Sequence, residues 1–333
     1  MKNRFFALLG LLGLAVCGCK NGNQEDQVVS QSYVHKYGYA ISAEDWETKT
    51  YPGQEVTTLR NGVTMTTTYE NGIQHGPTTY TYPHSQTVEH YYLYNLGTKV
   101  KEISYDPAGI PMREWVQLSP TRQSITLWYK EGSPMSVEEL VGDELLDGQY
   151  FTIRNEIDSK VQRGAGVRSV RSREGTLLAK EVFEEGYAIK KETFYSNGSP
   201  ESIAYYLRGA LHGEKRTFAQ TGEPLAIEEW VNNQLHGKST YFKNGNRYLE
   251  VSYLYGEKNG IERQFVDGDV ISQEITWENG LKHGEAVLYS KEKTDHEWYY
   301  EGKHVSRHKF DELNKLDVII SRLPYSSEAQ RQR

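Results

Sequence analysis

The chain has 333 residues, of which 37% are apolar, with a net charge of −7 and a mean hydropathy of −0.71. So acidic a field repels polyanions, so nucleic acid is excluded as an expected partner. The 25 Tyr and 30 Gly, set against that thin apolar content, suit many short strands and turns over a one-sided core better than a compact enzyme.

The first predicted element is an export signal over residues 1–18. Lys2 and Arg4 form a basic start, Phe5 to Val16 an apolar run, and a polar stretch begins at Lys20. That run is shorter than the roughly 20 residues a membrane-spanning helix needs. Two cysteines compete for the cleavage position, where the residue before the Cys must be small. Gly18 precedes Cys19, whereas the bulkier Val16 precedes Cys17. Val16-Cys17-Gly18-Cys19 therefore reads as a lipoprotein box, with Cys19 as the lipid attachment site. The competing readings are an ordinary secreted protein cleaved near the same place and a cytosolic protein with an apolar start.

Acylation of Cys19 would leave no free thiol in the mature chain, so disulfide, cysteine-metal and thiol-nucleophile chemistry are not expected. Three acyl chains bury enough methylene groups, at about 0.8 kcal/mol each, to hold a protein on a membrane without a spanning helix. The expected location is the cell envelope. Lys20, standing where an Asp would retain some lipoproteins in the inner membrane, favours the outer membrane if the cell has one.

Residues 19–32, which include the polar run KNGNQEDQVVSQS, are expected to form a tether. A degenerate β-repeat region follows over 33–154. Residues 155–175 read as a basic insertion or joint carrying Lys160, Arg163, Arg168, Arg171 and Arg173, either a solvated loop or an interaction patch.

A regular array occupies 176–310. His-Gly recurs at His75-Gly76, His212-Gly213, His236-Gly237 and His283-Gly284, and Asn259-Gly260 fills the gap before the last. Three residues before each stands Gly72, Gly209, Asn233, Gly256 or Gly280, and three earlier again an aromatic: Tyr69, Tyr206, Trp230, Tyr253 or Trp277. Between these motifs lie second turns at Asn197-Gly198, Thr221-Gly222, Asn244-Gly245 and Asp267-Gly268. Two turns per repeat imply two strands.

The alternation in Glu250-Val-Ser-Tyr253 and Glu274-Ile-Thr-Trp277 places Val251, Tyr253, Ile275 and Trp277 on one sheet face. The expected fold is all-β: a repetitive antiparallel hairpin meander forming a long, twisted, mostly single-layer sheet. Residues 311–333 should end the chain as a short helix, with Leu313, Leu316, Ile319 and Ile320 at helical spacing over the last strand edge, and a disordered tail.

The unit aromatic-x-x-Gly-x-x-His-Gly with a following aromatic, as in WENGLKHGEAVLY from Trp277 to Tyr289, resembles the bacterial variant of the MORN repeat. The resemblance implies a single-sheet hairpin array. Many bacterial members are described as antitoxin components, and others are exported or lipid-anchored. An export signal conflicts with an intracellular antitoxin role, and a repeat motif specifies how a chain stacks more than what it does.

Histidines one repeat apart lie two strands, or about 9.6 Å, apart, too far to converge on one ion. A His or Asn before a Gly in a turn accounts for their recurrence. His296, His304 and His308 gather with Asp295 and Asp311 near the end of the chain, but at no recognised metal spacing. No catalytic signature stands out, so no enzyme activity, cofactor or metal is expected. The expected partners are the membrane, through the lipid, and another protein docked along Trp230, Tyr253 and Trp277. The competing interpretation of that row is core packing. The rival functions are a structural bridge from membrane to cell-wall glycan and toxin neutralisation.

Overall fold

The computed structural model describes residues 27–321. The export signal, Cys19 and the segment after Ser321 lie outside the described residues. The chain divides into two units at Pro111/Met112.

In the first unit, β1 (Val28–His35), β2 (Ala40–Ile41), α1 (Ala43–Lys49), β3 (Gly53–Leu59), β4 (Thr64–Glu70), β5 (Ile73–Thr81), β6 (Val88–Asn95) and β7 (Thr98–Tyr105) follow in order. β1 pairs with both β2 and β3, and β3 to β6 each pair antiparallel with the next strand. Val28–Ser32, within the expected tether, are already strand, because the β1 backbone bonds to Val56–Leu59 of β3. Helix α1 was not anticipated. Its signal is Ser42, whose hydroxyl accepts the Asp45 N–H at 3.1 Å, followed by acidic residues in the first turn. Trp46 of α1 stacks on Tyr33 and meets Tyr69 edge-on, covering one face of the first strands.

The second unit begins with β8 (Pro111–Gln117), β9 (Arg122–Trp128), β10 (Pro134–Val141), β11 (Glu144–Phe151), β12 (Ile157–Gln162), β13 (Ala165–Arg171), β14 (Leu177–Glu184) and β15 (Tyr187–Phe194). The regular array follows as β16 (Pro200–Leu207), β17 (Ala210–Phe218), β18 (Pro224–Val231), β19 (Gln234–Leu235), β20 (Gly237–Lys243) and β21 (Asn246–Leu254). It continues through β22 (Glu257–Lys258), β23 (Gly260–Val266), β24 (Val270–Glu278), β25 (Leu281–Tyr289), β26 (Thr294–Tyr300), β27 (Lys303–Val305) and α2 (Arg307–Ser321). Neighbouring hairpin strands pair antiparallel throughout, the meander that the turn spacing predicts.

The packing differs along this unit. Leu145, Tyr150, Val161 and Phe183 make a buried cluster in β11–β14. In the array most strand residues are only half-buried; Ala204, Ser239, Val251, Glu262, Ile275 and Ala286 form a buried line, and Glu250, Phe265 and Val287 are buried outside it. Ser239 lies opposite Val251, and Ile275 is flanked by Glu262 and Ala286, so these small or medium side chains share a face with the aromatic row and are covered by it.

Helix α2 starts at Arg307, earlier than expected, because Ser306 caps it by accepting the Lys309 N–H. Its anchor is Phe310, packed on Trp298 and His283, while Leu316 and Ile319 are exposed. The expected contact stripe is thus carried by Phe310 at the start of the helix, with Leu313 half-buried below it.

The span 155–175, expected as a basic insertion or joint, is not a loop but holds β12 and β13. Their ladder has only two positions, Val161↔Gly166 and Gln162↔Ala165. Beyond them side chains bridge the strands: the Ser159 hydroxyl donates to Ser169 at 2.9 Å, and Arg171 bonds Asp158 at 2.9 Å. Arg168 pairs with Glu138 at 2.9 Å and Glu181 at 3.5 Å, and Tyr150 donates to Glu138. Both glutamates are buried, so the two central cations of the basic run serve this seam, and burial beside Glu138 pushes the Tyr150 hydroxyl up.

Candidate functional site

The two-residue turns come first, because they set the sheet's register. Asn71-Gly72, Arg208-Gly209, Asn232-Asn233, Tyr255-Gly256 and Asn279-Gly280 all have positive φ at both residues, the geometry of type I′ hairpins. The His-Gly pairs lie beyond these turns, not in them as the sequence suggested. Their glycines have φ from +86° to +105°, and the register shifts beside them, between Thr67 and Tyr69, Ala204 and Tyr206, and Ile275 and Trp277. They are β-bulges, in which one extra residue absorbs the strong twist following a tight turn.

The bulge explains the aromatic row. Gly213 lies opposite Trp230, Gly237 opposite Tyr253, Gly260 opposite Trp277 and Gly284 opposite Tyr299. Each half-buried ring thus stands across from a position without a side chain. A Cβ at Gly260 would come within 3.1 Å of Ser252 Cβ, and one at Gly284 within 3.3 Å of Thr276 Cβ.

Lysines lie over three of these rings: Lys215 over Trp230 at 5.8 Å, Lys258 over Trp277 at 4.5 Å and Lys282 over Tyr299 at 4.9 Å. Lys258 also pairs with the buried Glu262 at 2.6 Å, and Glu228 accepts from both Trp230 and Tyr241 at 3.3 Å. Burial first, then the neighbouring Tyr253 and Glu228, push the Tyr241 hydroxyl up. The face is therefore a repeating mixture of half-buried rings and cations over a line of small buried residues. On the opposite face the charges pair among themselves: Glu250 holds Lys238 at 2.7 Å and Arg247 at 2.8 Å, and Glu274 holds Arg263 at 2.8 Å.

Consecutive hairpins are stitched along both margins, a feature missed from the sequence. On the type I′ side the second turn residue donates its N–H back to the preceding hairpin: Gly256 to Leu235, Gly280 to Lys258 and Gly302 to Lys282, at 2.8–2.9 Å. The bulge histidines reinforce this. His283 Nδ1 accepts from the Glu301 N–H and its ring meets Tyr300, while His236 meets Tyr255. On the other margin the Tyr195 hydroxyl donates to the Phe218 carbonyl at 2.8 Å. The 23-residue separation of that pair was the available signal.

His296 bonds Glu285 and His304 meets Tyr299, so these histidines have separate partners. Among the described residues no group of three or more His, Cys, Asp or Glu is placed to hold a metal ion, and no helix is long and apolar enough to cross a membrane.

Two segments of the chain match the MORN repeat, residues 229–247 and 276–292, the first containing Trp230 and the second Trp277. No curated protein matches the chain. The solved structure titled "Crystal Structure of TcdB2-TccC3-Cdc42" is similar at 12% identity over 74% of this chain and 18% of that one, with a TM-score of 0.19. A second, "TcdB2-TccC3 without hypervariable C-terminal region", is similar at 10% identity over 83% of this chain and 21% of that one, with a TM-score of 0.14. This chain spans about a fifth of their length, and at those scores the likeness does not establish a shared fold.

Proposed function

We propose that this protein is a lipid-anchored binding or scaffold protein of the bacterial cell envelope, tethered through Cys19, that holds a partner protein along the aromatic face of its repeat array. The observation that carries the binding half is the row Trp230, Tyr253, Trp277 and Tyr299 with Lys215, Lys258 and Lys282 above it. Sites of one kind recur every 22 to 24 residues on a sheet margin, which suits an extended partner better than a small molecule needing a concave pocket. Half-buried aromatics are among the residues that dominate protein contacts, and the lysines beside them favour and orient an acidic partner. The anchoring half rests on the Val16–Cys19 box and the basic and apolar segments before it.

Crosslinking on intact membranes tests the binding face. Lys215→Glu and Lys282→Glu together should reduce recovery of the crosslinked partner by about tenfold, whereas Arg216→Glu on the opposite face should leave it within about twofold. Equal recovery from all variants would remove the aromatic face from consideration.

A further inference from the structure

The free edge of the first unit carries an exposed aromatic tip that neither the repeat nor the partner-binding face explains. β1 is paired along its length with β3 on one side, and on the other, among the described residues, β2 covers only Tyr33 and Val34. The β1–β2 connection presents Tyr37, 78% exposed, and Tyr39, 54% exposed, and at the far end of β1 stand Val28, 51% exposed, and Val29, 65% exposed.

The tip is held firmly. Gly38 N–H donates to the His35 carbonyl at 2.7 Å, His35 N–H to Tyr39 at 2.8 Å and Lys36 N–H to Pro52 at 2.9 Å. Beneath it the buried His35 ring stacks on Tyr39 at 4.4 Å and meets Tyr51 edge-on, and Lys36 reaches over Tyr37 at 5.3 Å. Large rings are thus kept in water at no conformational cost on binding, beside a long-stemmed cation.

We infer that this edge is a second, protein-made membrane contact: β1 lies along the phospholipid headgroup layer, with Tyr37 and Tyr39 at the interface and Lys36 directed to the phosphates. The inference rests on the proposed anchoring at Cys19. Only seven residues, Lys20 to Asp26, separate that cysteine from Gln27, and seven residues reach no more than about 25 Å. The chain therefore enters β1 close to the lipid surface, and the tip lies one strand length, about 26 Å, further along the same edge. Tyr and Lys are the side chains suited to that depth, since a ring with a polar end and a cation on an apolar stem each straddle an interface.

The test is hydroxyl-radical footprinting of the mature acylated protein in phosphatidylcholine vesicles, against the same mature chain, produced from residue 19 with Cys19→Ala and so unacylated, in detergent-free buffer. Intact mass on each sample reports acylation separately. Modification of Tyr37 and Tyr39 should fall at least about threefold in vesicles, while Tyr255, 60% exposed in the second unit, stays unchanged. Acylated protein whose Tyr37 and Tyr39 react as fast as in buffer would overturn the membrane contact and leave the anchor standing. If the mass shows no lipid, the anchoring proposal fails on its own. The contact then survives only if added vesicles still protect the two tyrosines, and is overturned if they do not.

Discussion

The seam at β10–β15 and the array at β16–β27 are built from the same hairpin unit but held together differently. At the seam the β12–β13 ladder nearly lapses, and buried side chains take over: the Leu145–Phe183 cluster and the Glu138–Arg168–Glu181 bridge. In the array β20–β21 and β23–β24 pair along their length, β18–β20 and β21–β23 keep two positions each beside the short β19 and β22, and the core is thin, so cohesion comes from bulge glycines, facing rings and the stitches between turns. A repeat protein can therefore tolerate loss of backbone pairing where it concentrates side-chain contacts, and thin packing where local geometry repeats faithfully.

That contrast can be broken in stages. The largest effect is expected from Arg168→Ala, which leaves the buried Glu138 without its cation, Lys191 still holding Glu181 at 2.9 Å, and should cost about 3 kcal/mol. Hydrogen exchange should accelerate in β10–β15 and not in β21–β25. Acceleration spread evenly over both regions would mean that they do not differ in cohesion. Next is Gly260→Ala, which puts a Cβ against Ser252 at φ +102° and should cost about 2 kcal/mol, seen in urea unfolding and confined to β21–β24 in exchange. Tyr195→Phe removes one stitch and should cost about 1 kcal/mol by the same assay.

Acid is the mildest probe and touches both regions. Burial works to raise the Glu250 carboxyl, but the bonds from Lys238 and Arg247 outweigh it and hold it below its ordinary 4.5. Asp158 at the seam is likewise held below 3.8, with burial opposed by Arg171 and Ser169. A carboxylate lowered by folding stabilises the fold above its unfolded pKa, and that contribution disappears as the pH falls through the folded value. Stability should thus be level above about pH 5 and decline below it, and Glu250→Gln should flatten the decline in the array alone. An unchanged slope in that variant would show that Lys238 and Arg247 do not hold the carboxylate.

The array was legible because each repeat restates the same constraint. The Asn-Gly, Asp-Gly and His-Gly spacings imply two strands per repeat, and alternation placed Val251, Tyr253, Ile275 and Trp277 on one face, as observed. The location of His-Gly was misread because a bulge glycine and a turn glycine share positive φ, and only the register shift separates them. The seam was misread for a different reason. Arg168 and Arg171 look like a solvated basic run until the fold brings Glu138, 30 residues earlier in sequence, beside Arg168, and Asp158, 13 residues earlier, beside Arg171. Helix α1 depended on a single residue, Ser42, outside the periodic pattern, whereas the Tyr195 stitch spans one repeat length and was missed because it rests on one side chain. Of the candidate site, the row of rings was readable from spacing, whereas the lysines over them depend on side-chain reach across strands.

The central claim is that the array works from a membrane surface, and intact mass of the membrane fraction tests it most directly. Wild-type protein should carry a diacylglyceride with an N-acyl chain on Cys19 and have lost residues 1–18, and Cys19→Ala should abolish the modified species. An unmodified wild-type protein recovered from the soluble fraction would contradict the account and leave the aromatic face in search of an intracellular partner.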